Sequence, residues 1–478
     1  MNTYTQPQNT VISNGDDCAP PLTPKLAPWI QALCKAPERT KSWINNFGSP
    51  VHVTVTSEFE RNVRDLLSPL RSRGVQGSLY FARKANKLPW FVTAARQTDI
   101  GVDVASNAEL RETLQLGVSA SKIVVTAIGK DEGLIRDAIK SGCLLIIDNA
   151  DELNLIQKIS ALHNKTVRVG LRIAGFEVGT RQVYSRFGIP LADVPGMLSK
   201  ITANGLLKIE NLHAHLDRYD TEERACAAFQ LLDLIDYAKT QGHEITSIDL
   251  GGGILMRYLD HSEQFEEFTE ALTKAIRGDR AAFTFRGDGL GYFKVGNGVE
   301  GSADLYPAWN ALSKERFISQ VLEHSNKNGP LHKQLAGRGI KLYFEPGRAL
   351  LDNAGATLAQ VTFRKRDTLG HMLVGVAMNR LNLRPFRAEF CSDPIFLSRK
   401  DRPLLTEGAF LVGNLCSESD LIFRRKLSLG HMPEPGDLVL FANSAGYLAH
   451  HMEIGTHGDS LPKNLLLDST TLEIITTA

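Results

Sequence analysis

Between residues 78 and 348 the chain repeats one pattern: a short run rich in β-branched and aromatic residues, then a helical run. The strand-like runs are SLYFA (78–82), DIGVDVAS (99–106), KIVVTAI (122–128), CLLIIDN (143–149), VRVGLRI (167–173), LKIENLHAHL (207–216), TSIDLGGG (246–253) and KLYFEPGR (341–348). Helical patterns such as NAELRETLQLG, DEGLIRDAIKSG, ADELNLIQKISALH and CAAFQLLDLIDYAKTQG lie between them. Eight strands alternating with helices predict an α/β fold, a parallel (β/α)8 TIM-like barrel. In such a barrel the functional side chains sit at the C-terminal strand ends.

The rhythm breaks twice. Roughly 90 residues separate Ile254 from Lys341, too many for one strand-to-helix connection, so an insertion of about 254–340 is expected beside the barrel mouth. After Arg348 the pattern turns to strands without helices (ATLAQVTFRKRD, HMLVGVAMN, FLVGNLC, DLVLFANSAGY), which predicts a C-terminal all-β domain. The expected domains are therefore a barrel over 57–350 and a β domain over 351–478. Residues 1 to about 25 are polar with Pro and Gly, and disorder is expected there. Pro28–Ala36 predicts a short helix, and VHVTVT (51–56) a strand.

Composition excludes several function classes. A net charge of +1 gives no electrostatic case for a nucleic-acid or membrane partner. No run of 18 apolar residues exists to span a bilayer. The N-terminus lacks a basic stretch followed by an apolar one, so no signal peptide is expected. The six cysteines show no CxxC spacing, which favours a reducing compartment without a structural metal site. The expectation is a soluble, cytoplasmic protein without a bound metal.

Chemistry concentrates at the strand ends. Lys84, in YFARKANK, follows an apolar strand; at a barrel mouth it can be desolvated and form a Schiff base with a carbonyl cofactor. Taken alone, the octapeptide fits a solvated lysine beside Arg83 and Lys87 better, and the rest of the chain reverses that. Gly251, Gly252 and Gly253 end another strand, and bare backbone N–H groups there can cradle a phosphate. In EPGR, Arg348 can bind phosphate and Glu345 can bond a ring nitrogen. His215, in LHAHL, offers a ring to stack. A lysine, a stacking ring, a phosphate nest and an acid together meet the needs of pyridoxal 5′-phosphate.

FARKAN, GVDVASNAEL (101–110), SRFGI (185–189), LHAHL, IDLGGG, EPGR, GNLCSESD (413–420) and AGY (445–447) occur in the order found in the alanine-racemase-type (fold type III) barrel decarboxylases. Over roughly Phe47 to Tyr447 the chain resembles the group IV diaminopimelate, ornithine and arginine decarboxylases. The resemblance implies a β domain that also takes in the N-terminal segment, residues 26–56, and a head-to-tail homodimer with two shared active sites. It implies that Lys84 holds the cofactor covalently and His215 stacks on its ring. Gly251, Gly252, Gly253, Arg348 and Tyr447 would hold the phosphate, and Glu345 would pair with the ring nitrogen. Cys416 of a second subunit would protonate the substrate carbanion. Asp103 and Arg172 match positions near the lysine and ring. Arg384, in NLRPF, matches an arginine for a distal substrate carboxylate, and Glu418 and Asp420 fall in the segment that reads the substrate's far end.

Three departures touch this pattern. His-x-Gly-Ser becomes His215-Leu216-Asp217-Arg218, Cys-Glu-Ser-Gly-Asp becomes Cys416-Ser417-Glu418-Ser419-Asp420, and a tyrosine becomes Ala388. They favour an amino acid or amino-acid conjugate of specialised metabolism, such as siderophore assembly, over diaminopimelate in lysine biosynthesis. Racemases of the same fold place an arginine at the ring nitrogen, where this chain has Glu345.

Overall fold

The computed structural model describes residues 17–478 except 202–204, 307–308, 385–388, 398–401, 403–404, 406, 451, 453–454 and 459. Most of the N-terminal stretch expected to be disordered, and Ala388, lie outside the described residues. Two compact units form: one from Phe59–Leu255 and Leu312–Leu350, the other from residues up to Glu58, Met256–Ala311 and Leu351–Ala478.

In the first unit eight parallel strands close a barrel: β1 (Gly77–Ala82), β2 (Gly101–Val104), β3 (Ile123–Val125), β4 (Leu144–Ile147), β5 (Val167–Ala174), β6 (Leu207–Ala214), β7 (Ser247–Asp249) and β8 (Lys341–Phe344). Each strand pairs with the next in sequence, and β8 returns to pair β1. Tyr80, Val124, Leu144, Ile146 and Tyr343 pack against one another, with the two tyrosine rings 5.2 Å apart. Gly101 makes room for this layer, because a Cβ there would overlap the Tyr80 ring.

The helices start on side-chain caps. Ser106, Asp131 and Asn149 accept bonds from the backbone N–H groups of Glu109, Leu134 and Glu152 at 3.2, 2.7 and 3.0 Å. Each such cap is worth about 1 kcal/mol. They fix where each helix leaves the strand before it, and therefore where the strand-end side chains point.

Not all of 254–340 is an insertion. Residues 312–350 belong to the barrel unit, where helices Glu315–Glu323 and Leu331–Arg338 bury Phe317, Ile318, Val321, Leu322, Leu331 and Leu335. These helices have only 9 and 8 residues, so their periodicity is weak in the sequence. Residues 256–311 join the other unit. There the helix Glu263–Arg277 packs Phe268 and Leu272 with Leu22, Leu259, Phe283, Leu290 and Cys391.

In that second unit the strand Val51–Thr54 pairs antiparallel with Gly355–Arg366 and parallel with Lys463–Leu467. Trp29, Ile30, Trp43, Val53, Leu358, Leu440 and Leu465 form its core. The helix expected at 28–36 is Pro28–Cys34. Pro37 does not only stop it but also opens a second helix, Pro37–Phe47. Proline suits a first helical turn, where its missing N–H has no partner to lose. Among the described residues no helix is long and apolar enough to cross a membrane.

One buried cation fixes the turn after β7. The helix Thr221–Thr240, capped by Asp220, places Arg224 with no solvent exposure. Its guanidinium donates to the carbonyls of Gly252 (2.9 Å), Gly253 (3.1 Å), Arg218 (2.6 Å) and Asp220 (3.2 Å). Burial pushes it down to about 10. Arg224→Met keeps the volume and strips four carbonyls of their donor, so it is expected to lower stability by about 3 kcal/mol. The urea midpoint measures this loss, and an unchanged midpoint would contradict the role given to Arg224.

Candidate active site

β1 ends at Ala82 and runs into a single 3-10 turn, Arg83–Ala85. The turn sends consecutive cations opposite ways. Arg83 is 1% exposed and bonds Thr113 Oγ1 at 2.9 Å and the Glu112 carboxylate. Lys84 Nζ instead reaches Asp103 Oδ2 at 2.9 Å across the neighbouring strand end, with 42% of its side chain exposed. The lysine therefore pairs with a buried carboxylate while much of its side chain stays exposed.

Asp103 is the first member of a buried chain of polar groups. Thr126 Oγ1 donates to Asp103 Oδ1, and the Thr126 carbonyl accepts from Arg172 Nη2 at 2.8 Å. Arg172 Nη1 pairs with Asp148 Oδ1 at 2.8 Å, which also accepts from Gly188 N at 3.1 Å. Asp148 N donates to Glu152 Oε2 at 2.9 Å, and Glu152 pairs with Lys130 Nζ at 3.0 Å. The SRFGI segment is thereby tied to β5, with Phe187 edge-on to His215 at 6.0 Å.

His215 stands just beyond β6, and burial pushes its imidazole down to about 4, with Lys84, Arg172, His213 and Glu345 all close enough to act on it. The sequence reading missed His213. It lies two residues earlier, so on the same face of the extended chain. Its Nε2 meets Glu345 Oε1 at 3.1 Å, while its Nδ1 accepts from Arg172 Nε at 3.4 Å. Burial holds His213 well below the ordinary histidine range. Asp249, also missed, accepts from Gly251 N at 2.8 Å and completes a buried cluster with His213 and Glu345.

The glycine turn meets the test for a phosphate. Gly251 has φ +65°, a left-handed conformation, and a Cβ on Gly252 would come 2.8 Å from the Glu345 carbonyl oxygen. A trans peptide points its C=O and the following N–H in opposite directions. Arg224 holds the Gly252 and Gly253 carbonyls on one side, so the N–H groups of Gly253 and Ile254 face the other. Arg348 follows β8 in the EPGR turn and is partly exposed. Asp217 and Arg218, in place of Gly-Ser, are exposed. A cradle without side chains, an amine at a strand end, a neutral imidazole and a buried acid fit pyridoxal 5′-phosphate.

The remaining candidates lie in the second unit. Cys416 is an exposed free thiol on the loop after the strand Ala409–Val412. Glu418 on that loop is exposed and 3.9 Å from Arg286, which has the left-handed φ of +53°. Asp420 lies on the same loop. It is buried and clamps its own loop, accepting from Arg380 N and Leu415 N at 2.8 Å each. Arg384 is partly buried beside Arg380 and Arg424, which together with burial lower it from the usual guanidinium value. Tyr447 is partly exposed with φ +59°, a strained conformation for an aromatic residue.

Residues 56–289 match the family described as pyridoxal-dependent decarboxylase, pyridoxal binding domain. The chain belongs to the pyridoxal-dependent decarboxylases. Within them it is of fold type III, group IV, an enzyme of the carboxy-lyase class whose cofactor is pyridoxal 5′-phosphate. The decarboxylase is 27% identical over 427 residues, 88% of each chain, to the uncharacterized protein y4yA of Sinorhizobium fredii. It is 23% identical over 416 residues to the diaminopimelate decarboxylase of Zymomonas mobilis, covering 84% of this chain and 83% of that one. Its fold is that of the diaminopimelate decarboxylase structure from M. jannaschii, with TM-score 0.70, 18% identity and 92% of each chain covered.

The depressed His215 gives the cofactor-free decarboxylase a pH signature. Unfolded, this histidine takes up a proton near pH 6.5; folded, it refuses one until about 4. Between those values the unfolded state binds more protons, so stability falls as pH falls. The slope is about 1.4 kcal/mol per pH unit. His215→Gln is expected to remove this contribution, so the stability difference between variant and parent should shift by that slope from pH 6.5 to 5. Parallel curves from urea unfolding at each pH would contradict an imidazole kept neutral by the fold.

Proposed function

We propose that the enzyme removes the α-carboxylate of an amino acid with a distal carboxylate, with diaminopimelate the best-supported substrate. We also propose that its site is completed across a homodimer. The observation that carries the reaction is Lys84, held by Asp103 at 2.9 Å at the strand-end cluster of His215, His213 and Glu345. For the substrate, the support is that the relatives with a named activity include diaminopimelate decarboxylases from Zymomonas mobilis, Pseudomonas fluorescens and Neisseria meningitidis. Arg384, with a guanidinium able to take a carboxylate through two parallel bonds, is the group for the distal acid. The siderophore-type conjugate expected from the altered segments draws no comparable support.

Pyridoxal phosphate supplies, when bound, a carbonyl that takes up an amine and a ring that accepts electrons. The residues of this chain then divide the work. Lys84 offers its amine, with Asp103 fixing its direction. His215 presents a neutral ring face. Glu345 places a carboxylate where a ring nitrogen keeps its proton. The amides of the glycine turn, with Arg348, hold a phosphate. Cys416 of a second copy returns a proton to Cα, and Glu418 on the same loop faces the far end of the substrate.

Carbon dioxide release with added pyridoxal phosphate tests the substrate. The panel is meso-diaminopimelate, lysine, ornithine, arginine and citryl-diamino acid conjugates. The highest kcat/KM is expected for meso-diaminopimelate; a preference for a conjugate, or no turnover, would overturn this reading. Cys416→Ala is expected to lower kcat by about 10²-fold or more, the usual worth of a positioned proton donor. Mixing inactive Lys84→Ala chains with Cys416→Ala chains should restore up to about a quarter of parental activity, since half the chains re-pair as heterodimers with one intact site of two. Subunit exchange without recovery would rule out a shared site.

A further inference from the structure

Beneath the ring-binding side chains, the ends of β6, β7 and β8 bring His213, Asp249 and Glu345 together in a pocket closed to solvent. One ligand atom of each lies within 4.8 Å of the others, and the three residues are 0%, 1% and 3% exposed. The bonds around them fix most of the protons. His213 Nδ1 accepts from Arg172 Nε, so the neutral imidazole carries its hydrogen on Nε2 and donates it to Glu345 Oε1. Asp249 Oδ1 accepts from Gly251 N at 2.8 Å. Its Oδ2 is buried and, as a bare carboxylate oxygen, finds no hydrogen-bond donor or cation to pair with among the described residues.

The groups facing Asp249 are the carboxylates Glu345 and Asp103, the neutral imidazole of His213, the cation Arg172, already bonded to Asp148, and the phenols Tyr80 and Tyr343 inside the barrel. A second carboxylate anion beside Glu345, away from water and unpaired, would cost several kcal/mol. Two carboxylates whose oxygens lie within 4.8 Å of one another away from water disfavour each other's ionisation.

We propose that Asp249 is a proton-bearing positioning residue for Glu345. Its Oδ2–H donates to the glutamate while its Oδ1 holds the first amide of the glycine turn. One anion then faces the cofactor ring rather than two, and one side chain sets both the ring-nitrogen end and the phosphate end of the site. The bond from Glu345 N to the Gly251 carbonyl, 2.9 Å, closes the link from the other side. Burial, reinforced by Glu345, pushes the Asp249 carboxyl well above the usual carboxylate range. The proposal rests on the cofactor assignment and on Glu345 facing the ring, and is independent of the substrate.

Asparagine keeps the Oδ1 acceptor and puts an N–H donor where the proposal puts O–H; alanine removes both. In the holoenzyme, Asp249→Ala is expected to raise the pyridoxal phosphate Kd about tenfold or more, and Asp249→Asn to recover it to within about threefold of the parent. The pH dependence of the bound cofactor's absorption should shift in the alanine variant and return in the asparagine variant. A purely structural role would not produce that shift. If Asp249→Asn is as impaired as Asp249→Ala, the residue works as an anion and the proposal fails. Should the alanine variant not fold, infrared spectroscopy decides. The parent-minus-Asp249→Asn difference at pH 8 should contain the carbonyl stretch of an un-ionised carboxyl, and its absence overturns the proposal. A stoichiometric divalent ion bound to the parent and lost with Asp249→Asn would also overturn it. No pyridoxal phosphate binding by the parent would refute the cofactor assignment itself, and the proposal with it.

Discussion

The structure depends on ionisable groups at the mouth of a dry barrel satisfying one another. From Lys84 the chain of contacts runs through Asp103, Thr126, Arg172 and Asp148 to Glu152 and Lys130. Removing one member strands another's charge out of water, which costs about 3–5 kcal/mol for a buried pair. That penalty makes the network rigid. Asp103, Arg172 and Asp148 end three different barrel strands, so the network also fixes how those ends stand to one another. A reactive amine can then be presented at one end, partly exposed, without the rest giving way.

A second consequence concerns charge balance. Arg172 serves three neighbours at once, donating to the Thr126 carbonyl, pairing with Asp148 and fixing the His213 tautomer. His213, kept neutral, can only lend Glu345 a hydrogen bond and cannot cancel its charge. On the phosphate side the same economy holds. Arg224 is spent on four carbonyls, so it shapes the glycine turn and leaves the anion to the opposite edge.

Much of this was legible in the sequence. The eight strands are visible because buried parallel strands are nearly continuous apolar runs, and each candidate site residue of the barrel sits where such a run ends. His213 was legible too, through its two-residue spacing from His215. Arg224 was not: in TEERAC it reads as one more charge on a solvated first turn, and only the packing of Phe317 and the glycine turn around it buries it. Asp249 hides in IDLGGG behind the glycines that draw attention first. The part Asp420 plays in holding its own loop was not legible, because an acid beside a cysteine suggests a substrate contact first, and only the fold brings the N–H groups of Leu415 and Arg380 onto its carboxylate. The helices of 312–338 escaped because short elements carry too few turns to show a period.

The central claim is that Lys84, and not one of the cations around it, carries the cofactor. Borohydride reduction of the holoenzyme, digestion and mass mapping test it most directly. The account predicts one pyridoxyl group per chain, on Lys84. A pyridoxyl group on Lys87 or Lys130, or none on any lysine of a cofactor-loaded enzyme, would contradict it.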